Sequence, residues 1–99
     1  MKPPRRAELY RLKGELLRGE GGVASEVESC FHQAIQIARR QQAKSLELRA
    51  VMSLSRWWQG QGNRAEAQRI LADTYGWFSE AFDTADLKAA KALLEELQP

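Results

Sequence analysis

The chain is 99 residues long, 43% hydrophobic and 28% charged, and its net charge is +2, from 15 Lys and Arg against 13 Asp and Glu. Those values describe one ordinary globular domain with a modest stability margin, and they exclude intrinsic disorder and a generally basic nucleic-acid surface. Apolar runs fall far short of the roughly 18 residues a spanning helix needs, and Met1-Lys2-Pro3-Pro4-Arg5-Arg6 lacks a signal-peptide core, so a cytoplasmic location is expected.

Pro3 and Pro4 can only precede a helix or sit in its first turn, which predicts a first helix from Arg5 to about Arg18. Its apolar residues are Leu9, Tyr10, Leu12, Leu16 and Leu17, with Gly14 among them. A glycine inside a helix costs about 1 kcal/mol relative to alanine, so Gly14 needs a reason, and close approach of a partner helix supplies one. After the turn Gly19-Glu20-Gly21-Gly22, Ser25 and Glu28 have the spacing of a capping box. They predict a second helix running to about Gln42, with Val27, Phe31, Ala34, Ile35 and Ala38 on its apolar face.

A third helix, from about Ser45 to Gln59, carries Leu46, Leu48, Val51, Met52, Leu54, Trp57 and Trp58 and stops at Gly60 and Gly62. Asn63 with Glu66 repeats the capping spacing for a fourth helix through Ala67, Ile70, Leu71, Tyr75 and Phe78. Asp83 or Thr84 is the expected cap of a fifth, in which Leu87, Ala90, Leu93, Leu94 and Leu97 recur at helical spacing. No stretch alternates like a buried strand, so the class is all-α.

The helices repeat. Tyr10, Gly14 and Leu17, followed by Val27, Phe31 and Ala34, match Val51, Ser55 and Trp58, followed by Ala67, Leu71 and Thr74, at an offset of 40 or 41 positions. A constant offset marks one structural unit used twice, in the pattern of a tetratricopeptide-like helix pair. The expected fold is an all-α, right-handed helical-repeat solenoid in a single domain spanning residues 1–99. It has two antiparallel helix pairs (repeat 1 about 5–42, repeat 2 about 45–80) and a C-terminal capping helix (about 84–98).

Several stretches resemble a known family: Ala7-Glu8-Leu9 through Leu17, Cys30-Phe31-His32-Gln33-Ala34-Ile35 with Ala38-Arg39-Arg40-Gln41, Ser45-Leu46-Glu47-Leu48-Arg49-Ala50, Tyr75-Gly76-Trp77-Phe78, and Phe82 to Leu87. They are similar to the C-terminal tail of large bacterial signalling proteins that fuse a class III adenylate or guanylate cyclase domain to a predicted ATPase. The resemblance runs from about Ala7 to Leu97 and implies an interaction or regulatory module. The enzymatic functions of that family do not carry over, because the phosphate loop G-x-x-x-x-G-K-S/T and the paired metal-binding aspartates of a cyclase are missing from this sequence.

In a tetratricopeptide pair the first helix of each repeat lines a groove. Counting outward from Gly14 and Ser55 places Arg11, Glu15, Arg18, Arg49, Met52, Arg56 and Gln59 there. Arginines on one inner surface can clamp the carboxylates of an acidic peptide or protein, while the plain structural alternative is a solvated helix face on which Glu15 pairs with Arg11 and Arg18. Trp58 takes the large inter-helix position; Trp57, about 100° round the helix, either packs on the preceding pair or stands exposed as an aromatic anchor. Trp77 and Phe78 seat the last helix.

Cys30 is expected to be a small core hydrophobe, and with the lone His32 it cannot complete a zinc site. Nothing has the spacing of a catalytic triad or of an acid and base pair, so no enzyme activity, metal or cofactor is expected. The leading function is non-catalytic binding of a protein or peptide; the alternative is a nucleic-acid-associated regulator using Arg5, Arg6, Arg11 and Arg18 along the first helix. Leu9, Leu12 and Leu16 leave that helix one apolar face beyond the one it uses internally, which predicts a homodimer.

Overall fold

Helical spacing of apolar residues produces five α-helices: α1 (Arg5–Gly19), α2 (Ala24–Arg40), α3 (Lys44–Gly60), α4 (Arg64–Phe78) and α5 (Ala85–Leu97). The computed structural model describes residues 5–78 and 85–98, apart from the side chains of residues 77 and 78. No strand occurs among the described residues, so the all-α class holds. The expected caps Asp83 and Thr84, and the seat made by Trp77 and Phe78, lie outside what is described.

The first three helices end in the same way. The residue after next accepts a left-handed backbone conformation, at Gly21 (φ 73°), Gln42 (φ 54°) and Gly62 (φ 81°). The following amide then reaches five residues back: Gly22 N–H to Leu17 O at 2.7 Å, Ala43 N–H to Ala38 O at 2.9 Å, and Asn63 N–H to Trp58 O at 2.8 Å. This closure satisfies carbonyls a helix end would otherwise orphan. Glycine suits the left-handed position at two of the three sites; Gln42 adopts it without that advantage.

One start differs from expectation. The N-cap of α2 is Val23, with no side-chain hydrogen bond, so Ser25 lies within the first turn and no capping box forms. The Glu28 carboxylate instead accepts a hydrogen bond from Trp57 Nε1 at 3.3 Å. A tertiary contact has claimed the side chain that the local motif required.

Short turns make α1 and α2, α2 and α3, and α3 and α4 antiparallel neighbours. Helix α3 packs against all four others, whereas the backbones of α2 and α4 stay more than 8 Å apart between Cα atoms, as do those of α1 and α5. Hence α1, α3 and α5 form one layer with α2 and α4 laid upon it, in a body of 42 × 36 × 18 Å. The thin dimension fits two helices at an interaxial separation of about 8–10 Å.

The repeat positions make the core. Val27, Phe31 and Ala34 of the first hairpin and Val51, Ser55, Ala67, Leu71 and Thr74 of the second are all buried. Gly14 is buried against α2: a Cβ there would lie 2.6 Å from Phe31 Cε1 and 2.8 Å from its Cδ1. Only a hydrogen in place of a side chain lets α1 and α2 approach so closely. At the equivalent place Ser55 Oγ donates to Ala67 O at 3.2 Å, tying α3 to α4. Leu87, Ala90, Leu93 and Leu97 of α5 join the same core, and Arg64 Nη2 caps the end of α5 by donating to Glu96 O at 2.8 Å and Gln98 O at 3.1 Å.

Helix α1 is apolar on two sides. Ala7, Tyr10, Gly14 and Leu17 turn inward, while Leu9, Leu12 and Leu16, nearly opposite, are 57%, 51% and 62% exposed. The bare face expected of the first helix is present.

Candidate interaction surface

Where α1 crosses α3, the seam is polar. Glu8, Arg11, Glu15 and Arg18 recur at three and four spacing along the side of α1 that meets α3, and Arg49, Ser53 and Arg56 do the same on α3. Arg11 grips Glu8 with both nitrogens of its fork, Nε to Oε1 at 2.8 Å and Nη2 to Oε2 at 3.0 Å. Its remaining Nη1 donates to Ser53 Oγ at 3.4 Å, and the Ser53 hydroxyl in turn donates to Glu15 Oε2 at 3.0 Å. Arg18 Nη2 stands 2.9 Å from the other oxygen of Glu15, an ion pair rather than an aligned hydrogen bond. Further along α3, Arg49 Nε lies 3.3 Å from both carboxylate oxygens of Asp86 on α5.

The electrostatics follow the geometry. The hydrogen bond from Arg11, aided by its charge and that of Arg49 and opposed by burial, holds the Glu8 carboxyl below its ordinary range. The reciprocal bond to Glu8, with the charges of Glu8, Glu15 and Asp86 adding and burial opposing, raises Arg11. Five side chains from three helices therefore feel one another across the seam.

Of the groove residues expected from the sequence, Arg11, Glu15, Arg18, Arg49 and Arg56 reach this seam, since Ser53 lies one helical turn from both Arg49 and Arg56. Arg56 is exposed and has no side-chain partner among the described residues, and Gln59, a turn beyond, is half-buried. Two expectations need correction. Met52 is buried in the core, because its direction on α3 is covered by neighbouring helices, so it offers nothing to a groove. Trp57 is only 8% exposed and hydrogen-bonded to Glu28, so it is no exposed anchor. Its neighbour Trp58 is the half-buried one, edge-on to His32 with ring centroids 6.1 Å apart. Of the two alternatives for Trp57, packing on the preceding helix pair is the one the structure has, and Trp58 packs against the core while staying partly exposed.

Sequence reasoning missed Glu8, Ser53 and Asp86. The spacing of Glu8 and Arg11 is a legible signal for a helix pair. Ser53 and Asp86 have none, because their partners lie 42 and 37 positions away. Cys30 is buried. No group of three or more His, Cys, Asp or Glu side chains stands ready to hold a metal among the described residues, and no helix among them is long and apolar enough to cross a membrane. No family model, curated protein or solved structure matches the chain. Fold and seam together define a five-helix bundle with an arginine-bearing face, and function has to be argued from that face.

Proposed function

We propose that the chain is a non-catalytic interaction module of the tetratricopeptide-like solenoid type, which binds an acidic peptide or protein segment along the face lined by α1, α3 and α5. The observation that carries this is Arg56, exposed and without a side-chain partner among the described residues, one turn from Ser53 and two from Arg49 on the same face. Arg49 is held by Asp86 only through long, exposed contacts of 3.3 Å, which an incoming carboxylate can replace at little cost. Arg11 and Arg18 play a different part. They are engaged with Glu8 and Glu15, so they shape the seam and leave recognition to Arg49, Arg56 and Gln59. The resemblance to the tail of the cyclase and ATPase fusion proteins adds a setting, bacterial signalling in the cytoplasm.

The test is binding of fluorescent acidic, neutral and basic peptides of equal length to the wild-type chain and to an Arg49→Glu, Arg56→Glu variant. Acidic peptides should bind the wild type, and the double reversal should abolish that binding without changing helical content. A labelled oligonucleotide measured alongside examines the nucleic-acid alternative, for which Arg5 and Arg6 are the available cations. Binding that collapses steeply with salt, survives the α3 reversals and is lost on changing Arg5 and Arg6 would replace the peptide reading with that one.

A further inference from the structure

We propose that two copies of this chain form a two-fold dimer in which their α1 helices pack antiparallel through Leu9, Leu12 and Leu16. Single exposed leucines are common on protein surfaces, but these three form a continuous stripe at i, i+3 and i+7 along one helix, and besides them only Val23 is a large exposed hydrophobic among the described residues. Their equivalents in the second repeat, 41 positions on, are Ala50, Ser53 and Trp57, and all three are buried. This side of a first-position helix is therefore a packing side in this fold.

The chemistry of the stripe says what packs there. On α3 the equivalent side is met by polar groups: Arg11 and Glu15 of α1 bond Ser53, and Glu28 of α2 bonds Trp57. Leucine has nothing to offer such groups. A further unit like the first hairpin, stacked on α1 in the same way, would bury a guanidinium and two carboxylates against hydrocarbon. A second leucine stripe meets this one without that penalty, and the stripe this chain has to offer is α1 itself.

Charge selects the orientation. Arg5 and Arg6 stand exposed and without partners among the described residues at the N-terminus of α1, the positive end of the helix, where cations are disfavoured. Glu20, exposed and equally unpartnered, lies just past the C-terminus, and its amide still bonds Leu16 O at 3.0 Å. When Leu9 of one copy lies opposite Leu16 of the other, Arg5 falls opposite Glu20 at both ends and the two Leu12 side chains meet near the axis. Lys13 flanks that axis and can extend its ammonium into water. A parallel pair would instead gather four arginines at one end and set Glu20 against Glu20. One 15-residue helix per copy is a small contact, below the roughly 800 Å² per partner of a standard interface, so the dimer dissociates on the order of micromolar concentrations.

Sedimentation equilibrium of the full chain should show the mass rising with concentration from the monomer value of 11.2 kDa toward twice that. Leu12→Glu, at an exposed site, should remain monomeric throughout with an unchanged circular dichroism spectrum and melting temperature. For orientation, chains carrying Leu9→Cys and chains carrying Leu16→Cys should crosslink on oxidation only when mixed; Cys30, being buried, stays out of the reaction. A wild type that stays monomeric at hundreds of micromolar, in keeping with the stripe serving some other chain, overturns the proposal. So does a Leu12→Glu variant that still dimerises, or crosslinking of either cysteine variant with itself alone.

Discussion

Helices α1 and α3 correspond in sequence at an offset of 41 positions, yet Leu9, Leu12 and Leu16 of α1 face solvent while Ala50, Ser53 and Trp57 of α3 are buried. The difference is one of neighbours. Helix α3 has a hairpin on either side of it, whereas α1 has α2 and α3 on one side and no described element on the other. Burial is set by a helix's neighbours as much as by its own pattern, and substitutions at corresponding positions of α1 and α3 should therefore have unequal costs.

The largest contrast is expected between Trp57→Ala and Leu16→Ala. Removing the buried indole leaves a cavity and an unanswered Glu28, which should cost about 3–5 kcal/mol. Its exposed counterpart should stay within about 0.5 kcal/mol in the monomer. Denaturant melts of both variants at a concentration below dimerisation measure the pair, and equal costs would overturn the contrast in burial between the two helices.

A second pair probes the crossing within each hairpin. Gly14→Leu drives a side chain into the buried Phe31 ring and should destabilise by about 1–3 kcal/mol by overpacking, despite leucine's better helix propensity. Ser55→Ala, at the matching position, loses one buried hydrogen bond to Ala67 O and should cost about 1 kcal/mol. A Gly14→Leu protein that melts at or above the wild-type temperature would mean the first crossing is not as close as Phe31 indicates.

The seam offers a smaller, pH-dependent contrast. Glu8 has a folded pKa below its unfolded one, so its pairing with Arg11 stabilises the protein above the ordinary carboxylate range, and that contribution is lost as pH falls through the folded value. Glu8→Gln should accordingly cost about 0.5–1 kcal/mol at pH 7 and almost nothing in strong acid. Stability curves of the two proteins should converge as pH falls; parallel curves would show that the pair contributes nothing. The smallest effect concerns the turns, where Gln42→Gly should relieve a left-handed backbone position that Gly21 and Gly62 already serve, raising stability by up to about 1 kcal/mol in a thermal melt.

Much of this molecule was written locally. The apolar period placed the five helices to within a residue or two, Gly21 and Gly62 marked turns, and the constant offset paired Gly14 with Ser55 and Phe31 with Leu71, all four of which are buried. The bare stripe of α1 was legible too, because Leu9, Leu12 and Leu16 exceed what one buried face of a helix can absorb. These features depend on residues three or four apart, or on a backbone angle that one residue type prefers, and a sequence displays both directly.

Tertiary structure alone decided the rest. Ser25 and Glu28 spell a capping box, but Trp57 holds Glu28 and α2 begins at another residue. Trp57 and Trp58 point about 100° apart, and which direction is covered depends on how α2 lies across α3. Arg49 is answered by Asp86, and Arg11 by Ser53 as well as by its neighbour Glu8. Such pairs join residues far apart in the chain, and their existence follows from the crossing of whole helices, which is fixed by packing summed over many side chains and is written in no short stretch of sequence.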